Sequence, residues 1–547
     1  MWHHGRSTVA LAKSGVTRHA GSVASVRDYP DSSPWRTEHR RREATTVHSL
    51  WLDTHPVPAG GTEQFVPGTD YDTVVAGAGL TGLTTAVLLA RAGQRVAVLE
   101  ARSVGAATTG NTTAKLSLLQ GTTLSQISRH QSDQVLRAYV EGNLEGQSWL
   151  LRYLEERGVP FQRRRAYTYA ISPQGTEALR REQRAAETAG LSVTWTDETE
   201  LPFPVTGAIV LEDQAQIHPM EVLDALATEL REHGGALIQG VRVTGAGIGS
   251  PLTVETTHGQ VQADHLVLAT GAPILDRGGY FAKLRPHRSY AQAYRVPASP
   301  AGLPQGMYLS ADAPSRSLRT APLGDEELLL VGGNGHVVGR QDSPQAAVDE
   351  LEAWTAEHFP GAQRTHAWSA QDYRSANLIP FIGTLPRGGG SIYLATGYNK
   401  WGMTNAVAAS LAITAEMLGG QIPWAATLGR RLTTPSDLLT GLKDGAAVGK
   451  EFASGWASAE LRALPDEPPA EGVGIVGRRG AAPVGASTVD GITRTVSAVC
   501  PHMGGVLRWN DAECSWDCPL HGSRFGADGA LLEGPAVRDL PTAPRSE

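Results

Sequence analysis

Runs of apolar residues, and the period at which they recur, divide the chain into two regions of different pattern. An apolar run at 73–76 is followed by a glycine-rich turn, a helical pattern at about 80–92 and a second apolar run at 95–99. That order is typical of a strand, a crossover helix and a parallel strand, so it predicts an α/β domain. From residue 472 onward, short apolar runs alternate with glycines, which predicts a small all-β domain.

The segments between the strands of the α/β region do not continue a doubly wound sheet. Residues 122–157 and 174–189 have helical spacing, whereas 160–171 and several short runs between 280 and 340 alternate as strands do. We therefore expect an inserted cap over a substrate. Within it, residues 333–339 imitate a nucleotide-binding glycine turn, but neither a helix nor an acidic strand end follows, so they are predicted to form a plain turn.

The glycine-rich turn after the first strand carries the first candidate chemistry. Gly77, Gly79 and Gly82 have the spacing G-x-G-x-x-G. The first glycine allows a tight turn, the second lets the backbone approach a pyrophosphate, and the third lets helix pack on strand. The helix from Leu80 would point its free N–H groups at that phosphate. Glu100, which ends the second strand, is placed to accept a ribose hydroxyl, so the segment predicts dinucleotide binding.

Further segments fit the same cofactor. A loop dense in glycine and threonine, residues 102–115, follows the second strand and suits cofactor contact through its N–H groups and hydroxyls. Apolar strands at 265–271 and 392–397 both end in Ala-Thr-Gly. A helix beginning at about 402–404 would direct its positive end toward a bound ring system.

Composition narrows the class of protein. The 547 residues include 48 Lys and Arg against 55 Asp and Glu, a net charge of −7, and nucleic-acid binding is not expected. No apolar run reaches the roughly 18 residues of a membrane helix, and no secretory pattern is present. Residues 1–48 are polar and without period, which predicts a disordered leader.

All three cysteines lie in one C-terminal window, which excludes a disulfide framework and indicates metal and a reducing, cytoplasmic setting. Cys500 and His502 form C-x-H, and Cys518 and His521 form C-x-x-H. Two thiolates and two imidazoles suit tetrahedral zinc. One such pair in each of two loops also suits a two-iron cluster, with thiolates on one iron and imidazoles on the other. Cys514 stands outside this pattern and is predicted to be a buried free thiol.

The α/β region resembles the FAD-dependent D-amino-acid-oxidase/glycine-oxidase clan over about residues 70–425. The resemblance rests on the fingerprint, the glycine and threonine loop, the strand end at 268–271 and the block at 395–404. It implies an α/β FAD-binding Rossmann-like domain with an inserted α+β substrate cap. It places the FAD-binding parts at about 70–121, 211–279 and 371–425, and the cap at about 122–210 and 280–370.

By the same resemblance, residues 77–82 hold the pyrophosphate, Glu100 the adenosine ribose, Val243 the adenine through its backbone, and 402–404 the flavin ring. No cysteine precedes Cys500, which excludes a cysteinyl flavin in this domain. The implied FAD contacts are Gly77, Gly79, Leu80, Thr81, Gly82, Glu100, Ala101, Arg102, Thr112, Thr113, Val243, Thr270, Gly271, Gly402, Met403 and Thr404.

The sequences CPHMG at 500–504 and CPLHGS at 518–523 resemble the Rieske family over about residues 465–545, after a connector at about 427–464. This resemblance implies a [2Fe–2S] cluster on Cys500, His502, Cys518 and His521, in a small all-β Rieske domain.

The cluster loops depart from the respiratory-type Rieske pattern. Gly505 and Leu520 stand where those members carry a disulfide, so that bridge is absent. Ser523 matches a serine that hydrogen-bonds a cluster sulfide, but Phe525 replaces a tyrosine donor. Fewer hydrogen bonds stabilise the reduced state less, so we expect a potential in the middle or lower part of the range of about −150 to +300 mV.

The two resemblances together imply an enzyme that oxidises a small amine or amino-acid-like substrate with FAD. Electrons then pass singly through the cluster to a soluble acceptor. Two alternatives stay open: electrons could enter from a donor through the cluster and reduce a substrate, or the chain could be a non-catalytic carrier or sensor. Arg285, Arg288 and Arg374 are candidates to hold a substrate carboxylate. No catalytic base is assigned.

Overall fold

The computed structural model describes residues 49–55, 63–297, 302–430, 435–480 and 482–543, so the predicted leader at 1–48 lies outside the described residues. Its helices, in chain order, are α1 (Leu50–Thr54), α2 (Leu80–Arg91), α3 (Thr123–Ser128), α4 (Asp133–Arg157), α5 (Pro173–Thr188), α6 (Pro219–Glu232), α7 (Pro344–His358), α8 (Gly402–Met417), α9 (Pro423–Gly429) and α10 (Pro435–Leu461).

The strands of the described residues fall into four sheets. In chain order they are β1 (Asp70–Ala76), β2 (Val96–Glu100), β3 (Lys115–Leu116), β4 (Phe161–Ala170), β5 (Thr194–Thr196), β6 (Gly207–Ile217), β7 (Ala236–Gln239), β8 (Val243–Ala246), β9 (Leu252–Thr256), β10 (Gly259–Leu268), β11 (Leu284–Arg295), β12 (Met307–Ser310), β13 (Arg316–Leu323), β14 (Glu326–Val337), β15 (Gln363–Ser375), β16 (Phe381–Thr384), β17 (Ile392–Thr396), β18 (Gly474–Arg479), β19 (Ala482–Val489), β20 (Ile492–Ser497), β21 (Arg508–Asn510), β22 (Ser515–Asp517), β23 (Arg524–Gly526) and β24 (Leu531–Glu533).

Side-chain caps start the long helices of the cap. The hydroxyl oxygens of Ser132, Ser172 and Ser343 accept hydrogen bonds from N–H groups in the first turns of α4, α5 and α7. Each cap satisfies an N–H group that has no partner within its helix. Gly158, with φ of 67°, ends α4 in the left-handed conformation that glycine adopts without strain.

The sheet of the α/β domain is built around β1. Its main path runs β16-β17-β10-β1-β2-β7, with β8 and β9 attached beside β10. Strand β1 is parallel to both β10 and β2, and α2 connects β1 to β2. Parallel strands joined by a crossover helix place their carboxyl ends at one edge, where ligands bind in such folds. The predicted Rossmann-like domain is confirmed.

The cap contains a nine-stranded sheet with the path β15-β11-β14-β13-β12-β4-β6-β3, and β5 pairs with β6. Strands β3, β6 and β15 extend it beyond the cap limits expected from the sequence, because they hydrogen-bond to cap strands. The turn predicted at 333–339 is wrong for residues up to Val337. These residues belong to β14, in which Gly333 pairs with both β11 and β13, while His336 and Val337 pair with β11 alone.

The C-terminal region forms the predicted all-β domain, with sheets β18-β19-β20 and β21-β22-β23-β24. Trp516 and Phe525 are fully buried in its core. This domain and the α/β domain lie in one compact unit, Val47–Glu547. Among the described residues, no helix is both long enough and apolar enough to cross a membrane.

Candidate functional site

A cavity opens at the carboxyl ends of the parallel strands of the α/β domain. Its wall includes most of the residues predicted to contact a dinucleotide. Those that line it are Gly77, Gly79, Leu80, Thr81, Glu100, Ala101, Arg102, Thr112, Val243, Thr270, Gly271, Gly402 and Met403.

Tight backbone contacts explain two glycines of the fingerprint. Gly77 has φ of 106°, and a Cβ there would lie 2.6 Å from the carbonyl oxygen of Ala269. A Cβ on Gly82 would lie 1.9 Å from the carbonyl oxygen of Gly77. No larger residue fits either position without moving backbone, so the spacing G-x-G-x-x-G is what lets β1, α2 and the strand end after β10 meet.

Glu100 lies at the end of β2, where the sequence predicts it. Its Oε2 accepts a hydrogen bond from the N–H of Ala78 at 2.8 Å, and its Oε1 accepts one from the N–H of Arg102 at 2.8 Å. The carboxylate therefore ties the glycine turn to the loop that follows β2 while lining the cavity. Its contact with a ribose stays a prediction.

The other predicted contacts lie outside the cavity wall. Gly82 packs beneath the turn, and the carbonyl oxygen of Thr113 accepts a hydrogen bond from Arg319 Nη1 at 2.7 Å. The hydroxyl of Thr404 donates to the side-chain oxygen of Asn143. Gly402 and Met403 do line the cavity, so α8 presents its first turn to it.

Several cavity residues were not predicted from the sequence. Arg242, Asp372, Tyr373 and Lys400 all line the wall. So do five residues of the C-terminal segment 532–537, namely Leu532, Glu533, Gly534, Ala536 and Val537. Asp372 could have been predicted from the alternation of side chains along β15. Residues two apart in a strand share a face, and Arg374 was already a candidate. No local pattern marks 532–537, since their position depends on how two domains pack.

Asp372 and Lys400 line the cavity near the start of α8, and other titratable side chains lie around them. His287 on β11 lies opposite Asp372 on β15, and Arg285 lies opposite Arg374. The carboxylate of Asp372 accepts a hydrogen bond from the N–H of Lys400. Burial raises the pKa of Asp372 and lowers the pKa of Lys400. Burial also lowers the pKa of His287 to about 3, so its imidazole is neutral near pH 7.

The three candidate arginines separate in the structure. Arg288 is fully buried and binds Glu513 of the C-terminal domain, with Nη1 to Oε2 at 2.8 Å, so it does not face the cavity. Arg374 Nη2 donates to Gln126 Oε1 at 3.0 Å, near the charged end. Arg285 lines an adjoining groove.

The four predicted metal ligands come together between two loops. The side chains of Cys500 and Cys518 are within hydrogen-bonding distance, and the rings of His502 and His521 have centroids 5.2 Å apart. The two cysteine sulfurs therefore lie next to each other, and so do the two imidazole rings. Among the described residues, no three His, Cys, Asp or Glu side chains gather as ligands of one ion. Two ligands of each kind fit the two different irons of a Rieske cluster.

The histidine nitrogens fit the same cluster. His502 Nε2 lies 3.2 Å from a carboxylate oxygen of Asp276, which leaves Nδ1 for iron. His521 Nδ1 is buried and has no hydrogen-bond partner among the described residues, as a metal-facing nitrogen would. A carboxylate that bonds the outer nitrogen of a ligand histidine also fixes its ring. Asp276 belongs to the α/β domain, so that domain supports the cluster site.

Ser523 and Phe525 lie close to the cluster loops. The Ser523 hydroxyl bonds to Cys500 and accepts from the N–H of Ala536 at 3.0 Å. Phe525 is fully buried and offers no donor. Cys514 is a free thiol, half-buried rather than buried as predicted.

Direct hydrogen bonds join the cluster loops to the wall of the cavity. Gln371 Nε2 donates to the carbonyl oxygen of Gly522 at 2.8 Å and to the Tyr373 hydroxyl at 2.9 Å. Tyr373 in turn donates to the carbonyl oxygen of Gly534 at 3.0 Å. Tyr373 lines the cavity, and Gly522 follows the predicted ligand His521, so a short hydrogen-bonded path connects the two sites.

A buried ion network holds the same interface, which we call the seam. Its members are Arg288 of the cap sheet with Glu513, Asp517, Arg524 and Glu533 of the C-terminal domain. Arg524 pairs with Glu513 at 2.9 Å, Asp517 at 3.2 Å and Glu533 at 3.0 Å. Against the opposing effect of burial, the two guanidiniums hold the pKa of Glu513 below its ordinary value. Buried charges require such partners, so separating the domains would expose or orphan several of them.

Comparison with protein families gives two matches. The sequence pattern of the family described as FAD dependent oxidoreductase (DAO) matches residues 72–416, and that of the Rieske [2Fe-2S] domain matches residues 470–544. The first covers the α/β domain with its cap and binds FAD. The second covers the C-terminal domain and binds the [2Fe–2S] cluster.

Individual proteins show the same two parts. The chain is 29% identical over 515 residues to the "Putative Rieske 2Fe-2S iron-sulfur protein YhfW" of Bacillus subtilis (strain 168), covering 92% of this chain and 98% of that protein. A glycine oxidase from Geobacillus kaustophilus is similar in structure, with TM-score 0.55, 18% identity and coverage of 66% of this chain and 100% of that one. L-proline dehydrogenase from P. horikoshii has TM-score 0.54, 18% identity and coverage of 66% and 96%. At that identity, the two structures show the fold alone.

Proposed function

This chain belongs to the FAD dependent oxidoreductase family, and we propose that it oxidises a small amine or amino-acid-like substrate. We propose further that the electrons leave one at a time through the Rieske cluster to a soluble one-electron acceptor. Bound FAD supplies the exchange between paired and single electrons that such a reaction needs.

The observation that carries this proposal is the shared wall between the two sites. Residues 532–537 of the Rieske domain form part of the cavity that holds the predicted dinucleotide contacts. Gln371 and Tyr373 bridge from that wall to the loop of His521. A Rieske domain that docked on the α/β domain only transiently would not be expected to form part of the wall of its cofactor cavity.

The charged end of the cavity supports an amino-acid-like substrate. Arg374 and Lys400 supply positive charge for a carboxylate, and Asp372 supplies negative charge beside them. Arginine binds carboxylates with two parallel hydrogen bonds where the geometry allows it. The half-buried His287 stays neutral because of its low pKa, so it adds no charge to this end.

The chain's own residues fix the positions of both sites. Gly77 and Gly82 bring backbone close to the predicted pyrophosphate position, and Glu100 holds the turn in place. Asp276 orients the His502 ring from the α/β side. The seam then keeps both sites at one separation during turnover. A carrier or sensor without a substrate has no use for the charged cavity end, which disfavours that alternative.

Anaerobic mixing tests the proposal. The holoenzyme is mixed with a panel of small amino acids and amines, and flavin absorbance and the electron paramagnetic resonance signal of the reduced cluster are followed together. We expect one or more members to bleach the flavin first and to produce the cluster signal afterwards. Oxidation at the C–N bond also yields an imine product or its hydrolysed carbonyl, which mass spectrometry detects.

Two results would contradict the proposal in different ways. Bleaching without any cluster signal would reject electron transfer within the chain. No bleaching by any amine, together with cluster and flavin reduction by a reduced ferredoxin, would show that electrons flow inward. A Cys518→Ser control, which lacks one cluster ligand, identifies which spectral changes belong to the cluster.

A further inference from the structure

We propose that Asp372 is a catalytic residue that binds the ammonium group of the substrate and accepts a proton from it. The inference rests on the proposed function, because it assigns a role within amine oxidation. Nothing in the glycine fingerprint or the cluster loops requires a carboxylate at this position.

The position of Asp372 is the first argument. It lines the cavity at the charged end, on the cap-sheet strand β15, and Tyr373 and Lys400 line the same cavity. Its carboxylate accepts a hydrogen bond from the N–H of Lys400, while its Oδ2 is buried with no partner among the described residues. A carboxylate with an oxygen that reaches neither water nor a donor gains free energy when a cation is placed beside it.

The arrangement of charge around Asp372 is the second argument. Lys400 also lines the cavity, and its positive charge acts on the carboxylate of Asp372 through space. A Cβ on Gly335 would lie 2.7 Å from Lys400 Nζ, so that ammonium is directed against β14. His287, opposite Asp372 in the sheet, is neutral. Charges of both signs thus lie at one end of the cavity, which suits a zwitterionic ligand.

The charges around Asp372 favour an orientation in which the cations bind the substrate carboxylate and Asp372 binds the substrate ammonium. Arg374 and Lys400 act on Asp372 from its own strand and from the loop before α8, and Arg285 and His287 lie on the paired strand β11. Cations therefore outnumber the carboxylate, and a substrate carboxylate is drawn to them. The substrate nitrogen is then left beside the acidic group, Asp372.

The proton step balances within the substrate and the side chain. One N–H bond of the ammonium breaks, and one O–H bond forms on the Asp372 carboxylate. The ammonium becomes a neutral amine, and the carboxylate becomes a carboxylic acid. The amine then has the free lone pair that C–N oxidation requires. Burial raises the pKa of Asp372, which brings it closer to that of the amine it must deprotonate.

Two probes of equal shape test the assignment on the holoenzyme. 2-Aminoisobutyrate carries an ammonium group and no hydrogen on its α carbon, so it binds without being oxidised at that carbon. Pivalate replaces the ammonium with a methyl group. Binding of each is followed by the shift in flavin absorbance. Because both carry the carboxylate, the ratio of their Kd values isolates the ammonium contact.

We expect the wild type to prefer 2-aminoisobutyrate, and Asp372→Asn to lower that preference about tenfold or more. Asp264→Asn, an exposed carboxylate on β10, is the matched control and should keep the wild-type ratio. An unchanged ratio in Asp372→Asn, or a wild type that does not prefer the ammonium probe, overturns the inference.

A second variant covers the case in which Asp372→Asn fails to retain FAD. Lys400→Met leaves Asp372 in place and removes the competing cation, so the preference for 2-aminoisobutyrate should rise. A fall in that preference overturns the inference. If amines bleach the flavin of the wild type while no ammonium preference exists, the proposed function stands and only the role of Asp372 is rejected.

Discussion

The two cofactor sites differ in how much of the chain is needed to build them. The four predicted cluster ligands lie in two loops between Cys500 and His521, and each loop is closed by its own backbone hydrogen bonds. The wall of the predicted FAD cavity draws on residues from Ala76 to Val537. A local pair of motifs thus specifies the cluster, whereas the cavity depends on three packed domains. A substitution in the cluster loops should therefore affect that site alone, whereas a substitution in the cavity wall should affect several parts of the chain.

The largest expected effect removes one site and spares the other. Cys518→Ser deletes a thiolate ligand of the cluster, and its loop is anchored on the cavity wall by Gly522 rather than by the sulfur. We expect loss of the cluster signal and of electron delivery to a one-electron acceptor, with FAD content and flavin bleaching retained. Iron analysis and absorbance spectra measure both. Loss of FAD along with the cluster would contradict the proposed independence.

Gly77→Ala tests the cavity at the glycine turn, where the pyrophosphate is predicted to bind. The added Cβ would meet the Ala269 carbonyl oxygen, and φ of 106° is unfavourable for alanine. Strain of about 3 kcal/mol at the phosphate turn corresponds to FAD binding weakened about 100-fold. Gly93→Ala, also at positive φ but with nothing within 4 Å of the added Cβ, should keep FAD. Equal FAD affinity in the two variants would contradict this account of the turn.

Breaking the seam should affect both sites together. Arg288→Met leaves Glu513 with fewer partners in a buried position, so we expect a loss of about 3–5 kcal/mol in the free energy of unfolding. Arg295→Met removes an exposed pair with Glu326 and should cost about 1 kcal/mol or less. Chemical denaturation measures both. Similar losses in the two variants would show that the seam does not hold the domains together.

Tyr373→Phe removes a single hydrogen-bonding group from the same interface. It removes the hydroxyl that joins Gln371 to the Gly534 carbonyl oxygen, a loss of about 1–3 kcal/mol. We expect slower reduction of the cluster by the flavin, with the rate of flavin bleaching unchanged. Tyr393→Phe is the control, since burial and the charge of Glu416, and no hydrogen bond, account for the raised pKa of its hydroxyl. A slower bleaching step in Tyr373→Phe would place its role in substrate oxidation instead.

The smallest predicted effect concerns the cluster alone. Asp276→Asn removes a negative charge from the outer nitrogen of His502, so the reduced cluster becomes easier to form. We expect the midpoint potential to rise by about 30–60 mV, the size of one partly screened charge at this range. Redox titration measures the potential, and a decrease would contradict the assignment of His502 Nδ1 to iron.

Sequence patterns predicted what depends on neighbours along the chain. The spacing of Gly77, Gly79 and Gly82 defined a strand, turn and helix, and the two cysteine and histidine pairs defined the cluster loops. The same patterns could not place residues 532–537 in the cavity wall, because that contact forms only when two domains pack. Residues 333–337 were predicted to form a turn because neither a helix nor an acidic strand end follows their glycines. Pairing with β11, and at Gly333 also with β13, makes them part of β14.

The candidate arginines show the same limit. Arg288 and Arg374 are indistinguishable as isolated basic residues in strands. Arg288 faces the Rieske domain and forms an ion pair with Glu513, whereas Arg374 lies near the charged end of the cavity. The identity of the facing element, not the residue type, separates a structural arginine from a candidate substrate ligand.

The most direct test of a fixed seam is the rate at which the reduced flavin reduces the cluster, followed by rapid mixing at several enzyme concentrations and solvent viscosities. A docked Rieske domain predicts a first-order rate that depends on neither concentration nor viscosity. A rate proportional to enzyme concentration would mean that electrons pass between molecules, and a rate that falls with viscosity would mean that the domain must move. Either result would contradict the central claim.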